Sequence, residues 1–173
     1  SPQKTDSPNF LKADQVFIRP NTDTALMLSL AYLLIVNNTY DKSFIKKYTF
    51  GFEEFKKYVI GDKNNKPCTP EWASSITGIS VKKINYLYEK IITKKTLISM
   101  SWSLQRAARG EQPLWMGITL ASMLGNIGTA YGGFGFGYAA VNSTGDIFDK
   151  IKWPSLPQSK NKIKSFIPVA RIT

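Results

Sequence analysis

The sequence contains no histidine and a single cysteine, Cys68, among its 173 residues. The absence of histidine removes the usual general base, the commonest metal ligand and the Ser-His-Asp triad. One cysteine excludes a disulfide scaffold and a zinc site built from several thiolates. Any reaction carried by this chain's own side chains must therefore proceed without imidazole.

Long apolar runs are also missing. The most apolar stretch, residues 25–36, spans 12 positions, whereas a membrane-spanning helix needs about 20. The first residues, 1–4, have neither the charged start nor the apolar stretch of a signal peptide. Because the chain begins without methionine and stops after the apolar stretch 166–172, we expect an internal piece of a longer protein.

Acidic residues are scarce, with 12 against 23 lysines and arginines, which gives a net charge of +11. A hydrophobic content of 43% excludes a disordered tail, and a chain of this length buries roughly 70% of its unfolded surface. A basic nucleic-acid-binding domain is one alternative that the charge leaves open. However, the lysines form scattered pairs rather than one stripe, which favours solvated helix faces.

Helical signals dominate the chain, with two short β-favouring runs at 15–19 and 96–101. Apolar periodicity and capping residues predict helices over six ranges, namely 23–37, 42–48, 52–60, 70–78, 81–94 and 112–127. The first of these helices is apolar nearly all round, so we expect it to be covered on most sides, and Gly128 is expected just past the end of the last. Strands separated by helices predict an α/β fold, rich in helix, with a small parallel sheet. We divide the chain into an α/β portion, 1–130, and an irregular portion rich in glycine and proline, 131–173.

The segment 19–23 lies between a predicted strand and the start of a helix, where α/β proteins commonly bind ligands. The Asp23 carboxylate would repel a phosphate, but it can accept two hydrogen bonds from a neutral edge such as guanine N1 and N2. Stabilisation of the helix dipole by Asp23 is the alternative explanation.

Two further segments are candidates for binding. Residues 102–106 and 109–113 bring an aromatic ring, amides and two guanidinium groups together after the second predicted strand, where they can stack on a ring and hold phosphate. A solvated loop is the alternative. Residues 132–138 alternate glycine with aromatics, but no predicted strand precedes them, which argues against a dinucleotide-binding fingerprint. Two interpretations of this stretch remain. Its glycines allow the backbone to approach a neighbour or a cofactor closely, or the stretch forms a flexible loop.

Taken together, these motifs resemble one family. Residues 19–28, RPNTDTALML, resemble the RPGTDTALML stretch of the molybdopterin guanine dinucleotide-dependent sulfoxide and N-oxide reductases, which include the dimethyl sulfoxide, trimethylamine-N-oxide and biotin sulfoxide reductases. Further stretches resemble the same family in the same order, at 48–53, 69–73, 102–106, 110–116, 123–128 with 132–138, and 166–172. The resemblance therefore extends over nearly the whole chain.

The resemblance implies central domains of the dimethyl sulfoxide reductase type and a molybdenum held by two molybdopterin guanine dinucleotides. It also implies an enzyme that takes an oxygen atom from a small S-oxide or N-oxide, while the cofactor carries the chemistry. Asp23 matches the family's aspartate at the guanine site. The other implied cofactor-binding residues are Thr22, Pro2, Trp102, Gln105, Arg106 and Gln112.

The metal-ligating serine of the family is expected upstream of Ser1, so the resemblance implies no catalytic residue and no metal ligand in this chain. We expect the remainder of the parent chain to be the partner that completes each binding surface. The isolated chain is accordingly predicted to be inactive and to retain no cofactor. We expect the parent protein to be bacterial and periplasmic, with the cytoplasm as the alternative, and its electron donor is not identified.

The chain departs from the family pattern at several positions. Asn21 replaces a glycine, Asn126 a glutamine, and 130–131 a Pro-Gly pair, while Arg109 and Ala139 stand where histidine is common. These replacements keep open a third hypothesis, a degenerate paralogue without catalytic activity.

Overall fold

The structure is a computed structural model that describes residues 12–63 and 65–137, together with Pro154, Pro157 and Lys160. The chain divides into two units, 1–142 and 143–173, and every helix and strand of the described residues belongs to the first. They are α1 (Asp23–Val36), α2 (Lys42–Tyr48), α3 (Phe52–Ile60), α4 (Pro70–Thr77), α5 (Val81–Thr93), β1 (Leu97–Met100), a 3₁₀ helix (Trp102–Arg106), α6 (Glu111–Met123) and β2 (Gly133–Phe136). Most of the predicted portion 131–173 lies outside the described residues, and that division stays a prediction.

The first helix, α1, is the centre of the core. It packs against α3, α4, α5 and α6, and Ala31 and Leu34 are completely buried. Ser29 is buried as well, and its hydroxyl donates a hydrogen bond to the carbonyl of Leu26 at 2.8 Å. A helix that is apolar nearly all round needs neighbours on most sides, and the structure confirms this prediction.

Local capping residues set the starts of three other helices. The side chains of Asp41, Thr69 and Ser80 accept hydrogen bonds from backbone N–H groups at the starts of α2, α4 and α5. Each cap satisfies a donor that the first turn leaves unpaired. The predicted helices over these ranges are confirmed, with ends within one residue of the prediction.

The sheet has two strands, β1 and β2, which pair in parallel with Leu97 opposite Gly133 and Met100 opposite Phe136. A small parallel sheet was predicted, but the prediction of a strand at 15–19 is wrong. The Arg19 backbone N–H donates to the carbonyl of Thr77 at 3.0 Å, and the Arg19 guanidinium donates to the carbonyl of Ser75. This segment therefore closes the end of α4 instead of joining the sheet.

The second strand lies in the glycine-rich stretch where sequence predicted no strand. Glycine has low strand propensity, but Gly133 and Gly135 are buried in β2. On the neighbouring helix α6, a Cβ at Gly117 would overlap the Met100 sulfur and lie 3.0 Å from the Phe134 ring. Close packing between α6 and the sheet thus requires glycine at position 117.

Helix α6 ends earlier than predicted, at Met123 rather than at residue 127. The backbone N–H of Asp41 donates to the carbonyl of Met123 at 2.7 Å, and Gly125 follows with a left-handed φ of 64°. A tertiary hydrogen bond and a left-handed glycine end the helix together. Sequence reasoning had assigned that role to Gly128.

Three of the departures from the family pattern lie at left-handed positions. Asn21 has φ of 62°, Arg109 has φ of 58° and Tyr131 has φ of 64°. Asparagine tolerates this conformation better than most residues, so Asn21 preserves the turn that glycine would make. This observation weakens one reason for the degenerate-paralogue hypothesis.

Tyr131 is strained by the same conformation, so we expect Tyr131→Gly to raise the free energy of unfolding by about 0.5–1 kcal/mol. The tyrosine is 90% exposed, and loss of its ring removes little packing. Urea denaturation followed by circular dichroism measures the change. Tyr131→Ala keeps the strain and is the matched control; equal stabilisation by alanine and glycine would contradict the argument.

Candidate functional site

A cleft of about 520 Å³ lies where the start of α1 meets the loop that leads into α6. Three elements line it. Asn21, Asp23 and Thr24 come from the start of α1 and the residues before it, and Tyr58 comes from α3. The third element comprises Leu104 of the 3₁₀ helix and residues 107–113, which form the loop and the first turn of α6. The volume lies within the range of about 300–1,000 Å³ that is typical of small-molecule sites.

Asp23 is the first residue of α1 and is half-buried in the wall of this cleft. Within the described residues its carboxylate makes no side-chain hydrogen bond and no ion pair. Its two oxygens therefore remain available to a ligand with adjacent N–H donors. Thr22 precedes it and does not line the cleft, because its hydroxyl donates to the carbonyl of Arg19 at 2.7 Å and holds the turn.

The loop side of the cleft carries charge of both signs. Gln112 lines the cleft and donates from its side-chain amide to Glu111 at 3.3 Å. The pKa of the Glu111 carboxyl is lowered by a hydrogen bond from the Glu111 backbone N–H. The hydrogen bond from the Gln112 amide and the charge of Arg109 lower this pKa further. Arg109 has a left-handed φ of 58°. The cleft thus offers acceptors at Asp23 and Glu111 and one cation at Arg109.

The loop is held in place by a close backbone approach. Gly110 is buried, and a Cβ at this position would overlap the backbone carbonyl of Gln105. The Gly110 N–H also donates to the carbonyl of Ala107 at 3.0 Å. Only glycine allows the 3₁₀ helix and the start of α6 to approach this closely.

Trp102 lies directly beyond the carboxyl end of β1 and packs on Phe136 of β2, with ring centroids 4.6 Å apart. A Cβ at Gly137 would overlap the Trp102 ring, while the Gly137 N–H donates to the carbonyl of Met100 at 3.0 Å. Of the two interpretations left open for the glycine–aromatic stretch, this contact favours close approach to a neighbour over a flexible loop. The glycine leaves room for the indole at the edge of the sheet.

The structure brings together some of the predicted binding residues. Asp23 and Gln112 line one cleft, and Thr22 supports the turn beside it. Gln105 and Arg106 are exposed on the 3₁₀ helix and do not line the cleft. Pro2 lies outside the described residues. The role of all these residues in binding a cofactor stays a prediction.

Sequence reasoning missed Tyr58. This residue lines the cleft from α3, although 35 positions separate it from Asp23 along the chain. The apolar–polar pattern around Tyr58 is that of any helix face, so no local signal marks this residue as part of a binding site. Packing of α3 on α1 brings the two residues to one cleft.

The described part of the chain offers neither a metal cluster nor a membrane span. Within residues 12–63 and 65–137, no group of three or more histidine, cysteine or acidic side chains is arranged to hold a metal ion. Across the same ranges, no helix is both long and apolar enough to cross a membrane.

Comparison with known proteins gives a consistent result. The family model "Molybdopterin oxidoreductase" matches residues 3–165. Biotin sulfoxide reductase from Cereibacter sphaeroides is 42% identical over 173 residues, which is all of this chain and 23% of that protein. Dimethyl sulfoxide/trimethylamine N-oxide reductase from Rhodobacter capsulatus is 45% identical over 137 residues, covering 79% of this chain and 17% of that protein. The chain thus spans about a fifth of the length of these relatives.

A solved structure shows the same fold. Acetylene hydratase from Pelobacter acetylenicus matches with a TM-score of 0.60 at 20% identity, over 73% of this chain and 17% of that one. The likeness supports the helix-rich α/β prediction with its small parallel sheet. The family match favours the oxidoreductase hypothesis over a nucleic-acid-binding domain. Because the match extends over most of its length, this chain belongs to the molybdopterin oxidoreductase family.

Proposed function

We propose that this chain is part of an enzyme that reduces S-oxides or N-oxides by oxygen-atom transfer, and that its cleft holds the guanine end of the cofactor. Biotin sulfoxide, trimethylamine N-oxide and dimethyl sulfoxide are the candidate substrates, from the names of the relatives. The observation that carries the proposal is the Asp23 carboxylate, which lies in the cleft wall without a partner among the described residues.

Family membership implies a molybdenum–pterin cofactor, and the guanine dinucleotide form is part of the proposal. The residues of the cleft fit its nucleotide end. A carboxylate can accept hydrogen bonds from guanine N1–H and N2–H at once, while adenine offers no such pair of donors. When bound, the cofactor would supply the two-electron redox chemistry.

The proposed task of this chain is to bind and orient the cofactor rather than to ligate its metal. Asp23 would hold the guanine edge, and Gln112 lines the same cleft from the first turn of α6. Trp102, Gln105 and Arg106 are proposed to contact the cofactor beyond the carboxyl end of β1, with Thr22 and Pro2 completing the set. The remainder of the parent chain would provide the metal ligand, and the proposed compartment is the periplasm.

Nucleotide binding tests the proposal without a loaded enzyme. The isolated chain is expected to retain no complete cofactor, but the cleft proposed for the guanine end is formed by this chain alone. We therefore expect the chain to bind guanosine monophosphate about tenfold more tightly than adenosine monophosphate, because hydrogen bonds to a charged group contribute about 1.5–3 kcal/mol. Asp23→Asn should remove most of this preference, because the amide nitrogen of asparagine donates where guanine also donates. Titrations followed by ligand-observed NMR measure both affinities.

Asp62→Asn is the matched control, since Asp62 undergoes the same chemical change in the turn after α3, outside the cleft lining. The control should keep the wild-type preference for guanine. Equal binding of the two nucleotides by the wild-type chain would refute the proposed guanine site. A loss of preference in Asp62→Asn as large as in Asp23→Asn would do the same.

A further inference from the structure

Tyr58 is an aromatic side chain of the cleft with no other role in the described part of the chain. It is 42% exposed and lines the cleft from α3. Within the described residues its hydroxyl makes no hydrogen bond and its ring makes no ring or cation contact. Four other tyrosines are committed to such contacts, namely Tyr40 on Phe52, Tyr48 on Phe44, Tyr86 to Asp14 and Tyr88 to Thr39.

The backbone beneath Tyr58 is held firmly. Its neighbour Val59 is completely buried in the core, and the Val59 carbonyl accepts a hydrogen bond from the Cys68 N–H at 2.9 Å. The Tyr58 carbonyl accepts one from the Gly61 N–H at 3.2 Å, where Gly61 ends α3 with a left-handed φ of 92°. The backbone that carries Tyr58 at the wall of the cleft is therefore fixed, so little backbone ordering is needed when its side chain binds a ligand.

We propose that Tyr58 provides the stacking surface for the base whose edge Asp23 binds. This inference rests on the proposed function, because it assigns the second contact of the same nucleotide. Asp23 can contact only the edge of a purine, so other residues of the cleft must cover its two faces. An aromatic ring in the wall of the same cleft can cover one face, and stacking of a base on an aromatic side chain contributes substantially to affinity.

The two contacts have different consequences for selectivity. The Asp23 carboxylate distinguishes guanine from adenine because it reads the donors on the base edge. A stacked ring strengthens the binding of either purine, since every base has a π-face. Tyr58 therefore sets the affinity of the cleft for purines, and Asp23 sets its preference among them.

Two variants of Tyr58 distinguish the contribution of the aromatic face to binding from the contributions of the hydroxyl group and of side-chain size. We expect Tyr58→Leu to weaken the binding of both guanosine and adenosine monophosphate about tenfold. Tyr58→Phe should bind both within about twofold of wild type, because the ring is retained. In NMR titrations the purine H8 proton should shift upfield on binding to wild type and Tyr58→Phe, and this ring-current shift should vanish in Tyr58→Leu.

The outcomes distinguish failure of this inference from failure of the guanine site. Unchanged affinity in Tyr58→Leu, with the preference for guanine still lost in Asp23→Asn, overturns the stacking role alone. Weaker binding in Tyr58→Leu by a chain that never prefers guanine supports stacking and overturns the guanine site. Failure of the wild-type chain to bind either nucleotide overturns both. An unchanged urea midpoint in Tyr58→Leu verifies that the variant is folded.

Discussion

Gly110→Ala is expected to lower the free energy of unfolding by about 2–3 kcal/mol and to distort the cleft. The φ of Gly110 is −62°, a value that alanine adopts without strain, so conformation alone does not require glycine. The available space requires glycine, because an added Cβ would overlap the Gln105 carbonyl and lie 2.7 Å from the Gln105 Cα. These are backbone atoms that cannot rotate away, so the 3₁₀ helix must separate from the start of α6.

Gly128→Ala is the control for this substitution. It makes the same chemical change where no atom lies within 4 Å of an added Cβ, but at a left-handed φ of 81°. We expect it to cost about 1 kcal/mol from conformation alone. Urea denaturation followed by tryptophan fluorescence compares the two variants. If Gly110→Ala is no more destabilising than Gly128→Ala, the close approach does not constrain the loop.

Leu34→Ala is expected to destabilise the fold by about 3–4 kcal/mol, because it leaves a cavity at the centre of the core. Leu34 is completely buried on α1, the helix that packs against four others. The cost is a large part of the roughly 5–15 kcal/mol that stabilises a typical domain. Neighbouring helices would have to move to fill the space, and their own contacts oppose that movement.

Val36→Ala on the same helix is the matched control for the core. Val36 is 49% exposed at the end of α1, so its truncation should cost less than about 1 kcal/mol. Thermal or urea unfolding of both variants measures the difference. Equal losses at the two positions would mean that α1 is not the core helix of the folded chain in solution.

Much of the helical fold could be predicted because its signals are local. Thr69 and Pro70 mark the start of α4, and Ser80 marks the start of α5, through hydrogen bonds that span only a few residues. The apolar character of 25–36 predicted a surrounded helix, because such a surface must be buried wherever it lies. Asp23 was predicted as a binding residue because residues 19–23 precede that helix and match the family pattern.

Other features depended on contacts that no local pattern contains. Residues 15–19 have strand-forming side chains, but Arg19 makes its hydrogen bonds to the end of α4. Gly133 and Gly135 have poor strand propensity, yet residues 133–136 pair with β1, and α6 packs closely on the sheet. In both cases tertiary hydrogen bonding and packing outweighed the intrinsic preference.

The amino-acid sequence by itself determined the helices, their capped starts, the lack of imidazole and the family pattern, because each depends on neighbours along the chain. Only the tertiary structure decided which segment joins the sheet, where α6 ends and which side chains share the cleft. Asp23, Tyr58 and Gln112 come from three separate helices. Their proximity results from how α1, α3 and α6 pack, and packing depends on the shapes of all the side chains in the core at once.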